Sequence, residues 1–106
     1  MSYLLNKKYE NEIKDILNLF NLKNFIESEK KLEDLILKFP NDYFLENIYG
    51  VVLAAQKKYE QALIKFKKAV NLNKSFPDGY YNIATTLVNI FKYTEEIGRA
   101  HVWTPV

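Results

Sequence analysis

The sequence predicts an all-α fold, an alpha-alpha superhelix (solenoid) of about two and a half helical hairpins. Apolar residues recur at helical spacing along most of the chain. A hairpin pattern of small and bulky residues stands at 43–76, and shifting the register by the length of that segment aligns it with the sequence on either side. Repeats of that length are typical of solenoids, whose units stack and bury their apolar faces against each other.

The composition is that of an ordinary folded domain. The 106 residues are 48% hydrophobic and 26% charged, and the net charge is +2. So small an excess of positive charge gives little reason to expect nucleic-acid binding. The absence of cysteine excludes disulfides and thiolate metal sites. Neither a long apolar run nor a signal-like start is present, so we expect no membrane partner and a cytoplasmic location.

The first helix pair is predicted at 9–22 and 25–38. Apolar residues at helical spacing are Ile13, Ile16, Leu17 and Phe20 in the first helix and Phe25, Leu32, Leu35 and Ile36 in the second. Pro40 ends the second helix, because proline cannot continue a helix and biases Phe39 out of the helical conformation.

The central pair, at 43–56 and 59–72, carries the clearest hairpin pattern. Small residues stand at Gly50, Ala62 and Ala69, and bulky residues stand at Tyr49, Leu53, Tyr59, Leu63 and Phe66. Small residues allow two antiparallel helices to approach closely, and bulky residues fill the space around them. We therefore expect Gly50 to lie at a contact between the two helices.

Pro77 is predicted to begin the third pair. In the first turn its missing N–H has no intrahelical partner to lose, and Asp78 suits the positive end of a helix. This helix is predicted to end near Ile90. Lys92, Tyr93 and Glu95 are predicted to open its partner helix.

The last ten residues differ in composition from the rest. The only Arg, His and Trp of the chain lie between Arg99 and Trp103. Residues 97–106 can be back-translated as atc gga aga gca cac gtc tga act cca gtc, which resembles a widely used sequencing-library adapter if tga is read as tryptophan. We predict that 97–106 is a non-native tail and that the third hairpin is truncated. A natural, divergent last helix is the alternative.

The central pattern resembles that of the tetratricopeptide repeat family. With Tyr43 as the first position, the family's small, apolar and aromatic positions are taken by Gly50, Leu53, Tyr59, Ala62, Phe66 and Ala69. The sequence departs from the family at Glu46, where a bulky residue is usual, and at Lys74, where proline is usual. The resemblance implies a degenerate repeat 1 at 9–42, repeat 2 at 43–76 and a truncated repeat 3 at 77–96.

The resemblance implies a non-catalytic protein–protein interaction module. Such modules bind a peptide or a partner's helix in a concave groove that the first helices of the hairpins line. The implied partner-binding residues are Phe44, Asn47, Ile48, Val51, Ala54, Ala55, Asp78, Tyr81, Asn82, Thr85, Val88 and Asn89. Asn47 and Asn82 are the best candidates, because an amide offers a peptide backbone both a donor and an acceptor. Solvated surface asparagines are the alternative.

No catalytic, cofactor or metal site is predicted. Arg99 and His101 lie in the foreign tail without a partner constellation, and no glycine-rich phosphate loop is present. The lysines between Lys57 and Lys74 are interpreted as a solvated outer face. The repeats also resemble those attached to bacterial glycosyltransferases, sulfotransferases and methyltransferases, so an enzyme domain in a longer parent is an alternative. The incomplete third hairpin predicts self-association through its uncovered apolar face.

Overall fold

The structure is a computed structural model that describes the backbone of residues 9–101 and the side chains of residues 9–96. The described residues form five helices and no strand: α1 (Glu10–Asn21), α2 (Phe25–Lys38), α3 (Tyr43–Ala55), α4 (Tyr59–Leu72) and α5 (Pro77–His101). Each helix packs against the next along the chain, and α5 also contacts α3. The prediction of an all-α array of helical hairpins is confirmed.

The turns after α1 and α3 have the same backbone geometry. Lys23 and Lys57 adopt positive φ angles of 62° and 65°. The N–H of the following residue donates back into the helix, from Asn24 to the Leu19 carbonyl at 2.8 Å and from Lys58 to the Leu53 carbonyl at 3.0 Å. This is the Schellman motif, which satisfies carbonyls at the end of a helix. The two motifs lie one repeat length apart in the sequence, so the repeat extends to the backbone.

Capping side chains mark where α2 and α3 begin, and a proline marks where α5 begins. Asp42 precedes α3, and its Oδ1 accepts hydrogen bonds from the N–H groups of Phe44 at 3.0 Å and Leu45 at 3.2 Å. Asn24 caps α2 in the same way. Pro77 is the first residue of α5, as the sequence predicts.

Two hydrophobic clusters form the core. The first joins α1, α2 and α3 through the buried side chains of Tyr9, Ile13, Ile16, Leu32, Leu35, Leu45 and Val52. The second joins α3 to α4 through Leu53, Ala62 and Phe66, and Ile83 of α5 packs against it. The successive helices are thus held together by apolar burial along the whole array.

Gly50 lies at the predicted contact between α3 and α4. A Cβ atom at this position would lie 2.6 Å from Cδ1 and 2.8 Å from Cζ of Phe66, which is closer than carbon atoms pack. The Phe66 ring therefore occupies the space that a side chain at residue 50 would need.

The predicted end of the third helix near Ile90 is wrong. The helix continues to His101, and the residues expected to open a partner helix, Lys92 and Tyr93, lie within α5. Phe91 stands one repeat length after Lys57, at the position where the earlier turns need a positive φ. A bulky aromatic residue is a rare outlier in that conformation, so the chain stays helical.

The predicted tail lies mostly beyond what the structure describes. Residues 97–101 continue the α5 backbone. Their side chains, and residues 102–106 altogether, lie outside the described part of the chain. The proposal of a non-native tail therefore stays a prediction from sequence.

Candidate functional site

The twelve predicted partner-binding residues lie on α3 and α5, which contact each other. Six belong to α3: Phe44, Asn47, Ile48, Val51, Ala54 and Ala55. Six belong to α5: Asp78, Tyr81, Asn82, Thr85, Val88 and Asn89. We refer to these twelve residues as the ligand face.

The α3 half of the ligand face is largely engaged in the core. Phe44 and Ile48 pack against the first hydrophobic cluster, and the Phe44 ring stacks on Tyr9 with centroids 6.4 Å apart. Val51 and Ala54 pack against the second cluster. These four residues therefore act mainly in holding α3 in place.

The α5 half is more open to solvent. Asp78, Tyr81, Thr85 and Val88 are exposed, and the Tyr81 side chain is 73% exposed. The Thr85 hydroxyl donates to the Tyr81 carbonyl at 3.0 Å, so that hydroxyl proton is used within the helix. An apolar ligand group would therefore meet mainly Tyr81 and Val88 on this side.

Asn47 and Asn82 join the two halves of the ligand face. The Nδ2 of Asn82 donates to Oδ1 of Asn47 at 2.9 Å. Asn47 is 7% exposed, so this bond satisfies a nearly buried acceptor. This hydrogen bond leaves the oxygen and the second N–H of the half-buried Asn82 side chain able to bond elsewhere. The sequence singled out both residues but did not predict that they bond to each other.

Thr86 bonds to the backbone of Asn82, one of the two residues in this bridge. It is 3% exposed, and its hydroxyl donates to the Asn82 carbonyl at 2.6 Å. Thr86 is not among the residues predicted from sequence, although a hydroxyl between apolar positions of a helix commonly bonds back to the preceding turn.

A buried carboxylate between α3 and α4 was also missed. Glu46 is 1% exposed and lies 3.2 Å from Nζ of Lys68 and 4.0 Å from Nζ of Lys65. Its Oε1 accepts no hydrogen bond from the described residues. Lys65 also lies over the Tyr49 ring, 4.7 Å from the centroid. Two of the lysines assigned to a solvated outer face therefore form an ion-paired group with Glu46.

Two tyrosine hydroxyls are held in their neutral form. Burial, reinforced by a hydrogen bond with Asp42, raises the pKa of Tyr9 well above its ordinary value. Burial also raises the pKa of Tyr49, and its hydroxyl donates to Oε2 of Glu33 at 2.8 Å. These groups bind α1 and α2 to α3 and offer no base at neutral pH.

The described residues hold no group of three His, Cys, Asp or Glu side chains placed to bind a metal ion. A cleft of about 480 Å³ opens between the start of α4 and α5, and it is lined by Lys58, Tyr59, Gln61, Ile90, Tyr93 and Thr94, among others. Within residues 9–101, none of the helices has both the length and the hydropathy needed to cross a membrane.

The array of consecutive hairpins defines a helical-repeat protein. Residues 50–89, from Gly50 in α3 through α4 to Asn89 in α5, match the family model described as TPR repeat. The match covers 40 of the 106 residues and is to the family that the central repeat resembles in sequence, a family whose repeats generally mediate protein interactions. Neither the curated proteins nor the solved structures gave a significant match.

Proposed function

We propose that this chain binds an extended peptide or a partner's helix across the ligand face of α3 and α5. The observation that carries the proposal is the Asn47–Asn82 bridge, because it fixes two amides at the junction of the two helices. The proposal includes the repeat boundaries at 9–42, 43–76 and 77–96.

Beyond the Asn47–Asn82 bridge, hydrogen-bonding groups remain that a peptide backbone can use. A backbone presents alternating N–H donors and C=O acceptors, and the half-buried Asn82 side chain can pair with both kinds through its oxygen and its second N–H. Because the two side chains already hold each other, they lose little conformational freedom when a ligand binds.

The rest of the α5 half supplies contacts for side chains. Tyr81 and Val88 stand one on each side of Thr85 along the helix and are exposed. Aromatic side chains contribute strongly to interfaces because they bury a large area at a low cost in conformational entropy. Asp78 at the start of α5 would repel a carboxylate, so it favours ligands without an acidic group at that end.

A selection from a displayed library of random peptides tests the proposal. The whole chain is immobilised, and the affinity of an enriched peptide is measured by fluorescence anisotropy. Tyr81→Ala and Asn82→Ala should each weaken binding by about tenfold or more. Leu37→Ala serves as the matched control, because Leu37 is 80% exposed on α2, away from the ligand face.

Different outcomes test whether the chain binds peptides and where on its surface it binds them. Failure to enrich any peptide would contradict the binding function. Binding that survives Tyr81→Ala and Asn82→Ala but is lost in Leu37→Ala would place the ligand on another surface.

A further inference from the structure

Helix α5 carries an uncharged stretch on a surface that the described residues leave open. No residue from Gly79 to Phe91 is charged. The helices α1, α2 and α4 carry charged residues throughout. Among the five described helices, α3 is the other one with so little charge, and it packs between α2 and α4. An uncharged helix of this kind is typical of positions covered on more than one side.

Four residues of α5 form a stripe along one side of the helix. They are Tyr80, Ala84, Leu87 and Phe91, at successive spacings of four, three and four residues. We call this set the α5 stripe. Tyr80, Leu87 and Phe91 are 48%, 47% and 66% exposed.

The equivalent surface of α3 is covered. Shifting back by one repeat length places Ala84 on Gly50 and Leu87 on Leu53. Gly50 is buried under Phe66 of α4, and Leu53 is 2% exposed. Within the described part of the chain α5 lacks the corresponding cover, because the helix runs straight through Phe91 where a hairpin would turn back. The α5 stripe is therefore shaped to receive a helix.

We propose that the α5 stripe pairs with the α5 stripe of a second copy of this chain, with the two helices antiparallel. A two-fold axis between residues 85 and 86 would set Ala84 against Leu87 of the second copy, and Tyr80 against Phe91. Each small residue then faces a large one, as Gly50 faces Phe66 inside the monomer. Aromatic rings meet at both ends of the contact.

The pairing surface is separate from the ligand face. None of the four stripe residues belongs to the twelve residues proposed to bind a peptide. The inference therefore goes beyond the proposed function, and either can fail without the other.

Sedimentation equilibrium of the whole chain tests the pairing. A contact of so few side chains is at the weak end of specific interfaces, so a dimer should form reversibly over micromolar concentrations. Leu87→Lys should raise the dissociation constant of the dimer by about tenfold or more, because it buries a charge at the centre of the contact. Leu37→Lys makes the same chemical change on α2 and should leave the dissociation constant unchanged.

A mass that stays monomeric up to several hundred micromolar would overturn the proposal, and so would equal dissociation constants for Leu87→Lys and the unmodified chain. Far-ultraviolet circular dichroism and thermal unfolding of each variant show that it has folded. Leu87 is about half exposed in the monomer, so a lysine there has access to water when the chain is alone.

Cysteine cross-linking tests the orientation. The chain has no cysteine, so single substitutions report only on their own positions. A mixture of Tyr80→Cys and Phe91→Cys chains should form the mixed disulfide faster than either variant links to itself. Self-linking that outpaces mixed linking would contradict the antiparallel arrangement.

Discussion

Gly50 and Phe66 define the closest approach between α3 and α4. Because the Phe66 ring fills the space beside the Gly50 Cα, Gly50→Leu should lower the free energy of unfolding by on the order of 1–3 kcal/mol. Urea denaturation measures this loss. Ala55→Leu is the control, since Ala55 is exposed at the end of the same helix and should tolerate the larger side chain.

Glu46 makes a second residue-level prediction. Replacing both Lys65 and Lys68 with methionine would leave a buried carboxylate without a cation, so this variant should unfold more readily than the unmodified chain. Adding Glu46→Leu to the double variant should restore part of the lost stability, because no buried charge then remains. Thermal unfolding of the three proteins compares them. A triple variant less stable than the double variant would contradict this account of the group.

Tyr49 predicts how stability responds to alkali. Burial raises its pKa in the folded chain, while in the unfolded chain tyrosine loses its proton near pH 10. The folded state then binds more protons than the unfolded state above about pH 10, so the free energy of unfolding should fall as the pH rises past that value. The fall should be shallower in Tyr49→Phe. Denaturant titrations at several pH values between neutral and strongly alkaline measure both slopes, and equal slopes would contradict the assignment.

The contacts of some residues can be predicted from the neighbouring sequence, and those of others cannot. Gly50 was predictable because a small residue opposite an aromatic one has a single geometric explanation in a hairpin. Glu46 was not, because a carboxylate at a position usually held by a bulky residue gives no indication of which lysine will pair with it. The pairing depends on how α4 is rotated against α3, which only the packed structure fixes.

At the level of helices, the turns at Lys23 and Lys57 carry backbone strain. A residue other than glycine pays a steric cost at positive φ, so Lys57→Gly should raise the free energy of unfolding by about 1 kcal/mol. Lys67→Gly is the control, since Lys67 is exposed within α4 and glycine weakens a helix interior by a similar amount. Opposite changes in the urea midpoints of the two variants are the expected result, and a loss of stability in both would contradict the strain at Lys57.

Helix boundaries show where a repeat pattern misleads. The first four helices lie within a residue or so of their predicted bounds, because proline, asparagine and the change of apolar period mark their ends. The predicted break near Ile90 rested on the repeat period alone. The local chemistry of Phe91, an aromatic residue where the backbone would need a positive φ, decides against a turn.

At the scale of the whole molecule, the sequence determines which faces are apolar but not how polar groups pair across helices. The hairpin pattern was enough to predict an all-α array, whereas the residues of the ligand face are those that the family resemblance implies. The Asn47–Asn82 bridge could not be predicted, because its 2.9 Å distance depends on the relative position of two helices separated by α4 in the chain. The burial of Phe44 and Ile48 depends in the same way on packing with α1 and α2.

Peptide binding across the ligand face of α3 and α5 is the proposed function of the whole molecule. The most direct test is a titration of the ¹⁵N-labelled chain with a peptide selected from the displayed library, followed by two-dimensional NMR. The side-chain amide signals of Asn47 and Asn82 and the backbone signals of Tyr81 and Val88 should shift together as the peptide is added. Shifts confined to the outer helices α2 and α4 would contradict the proposed function.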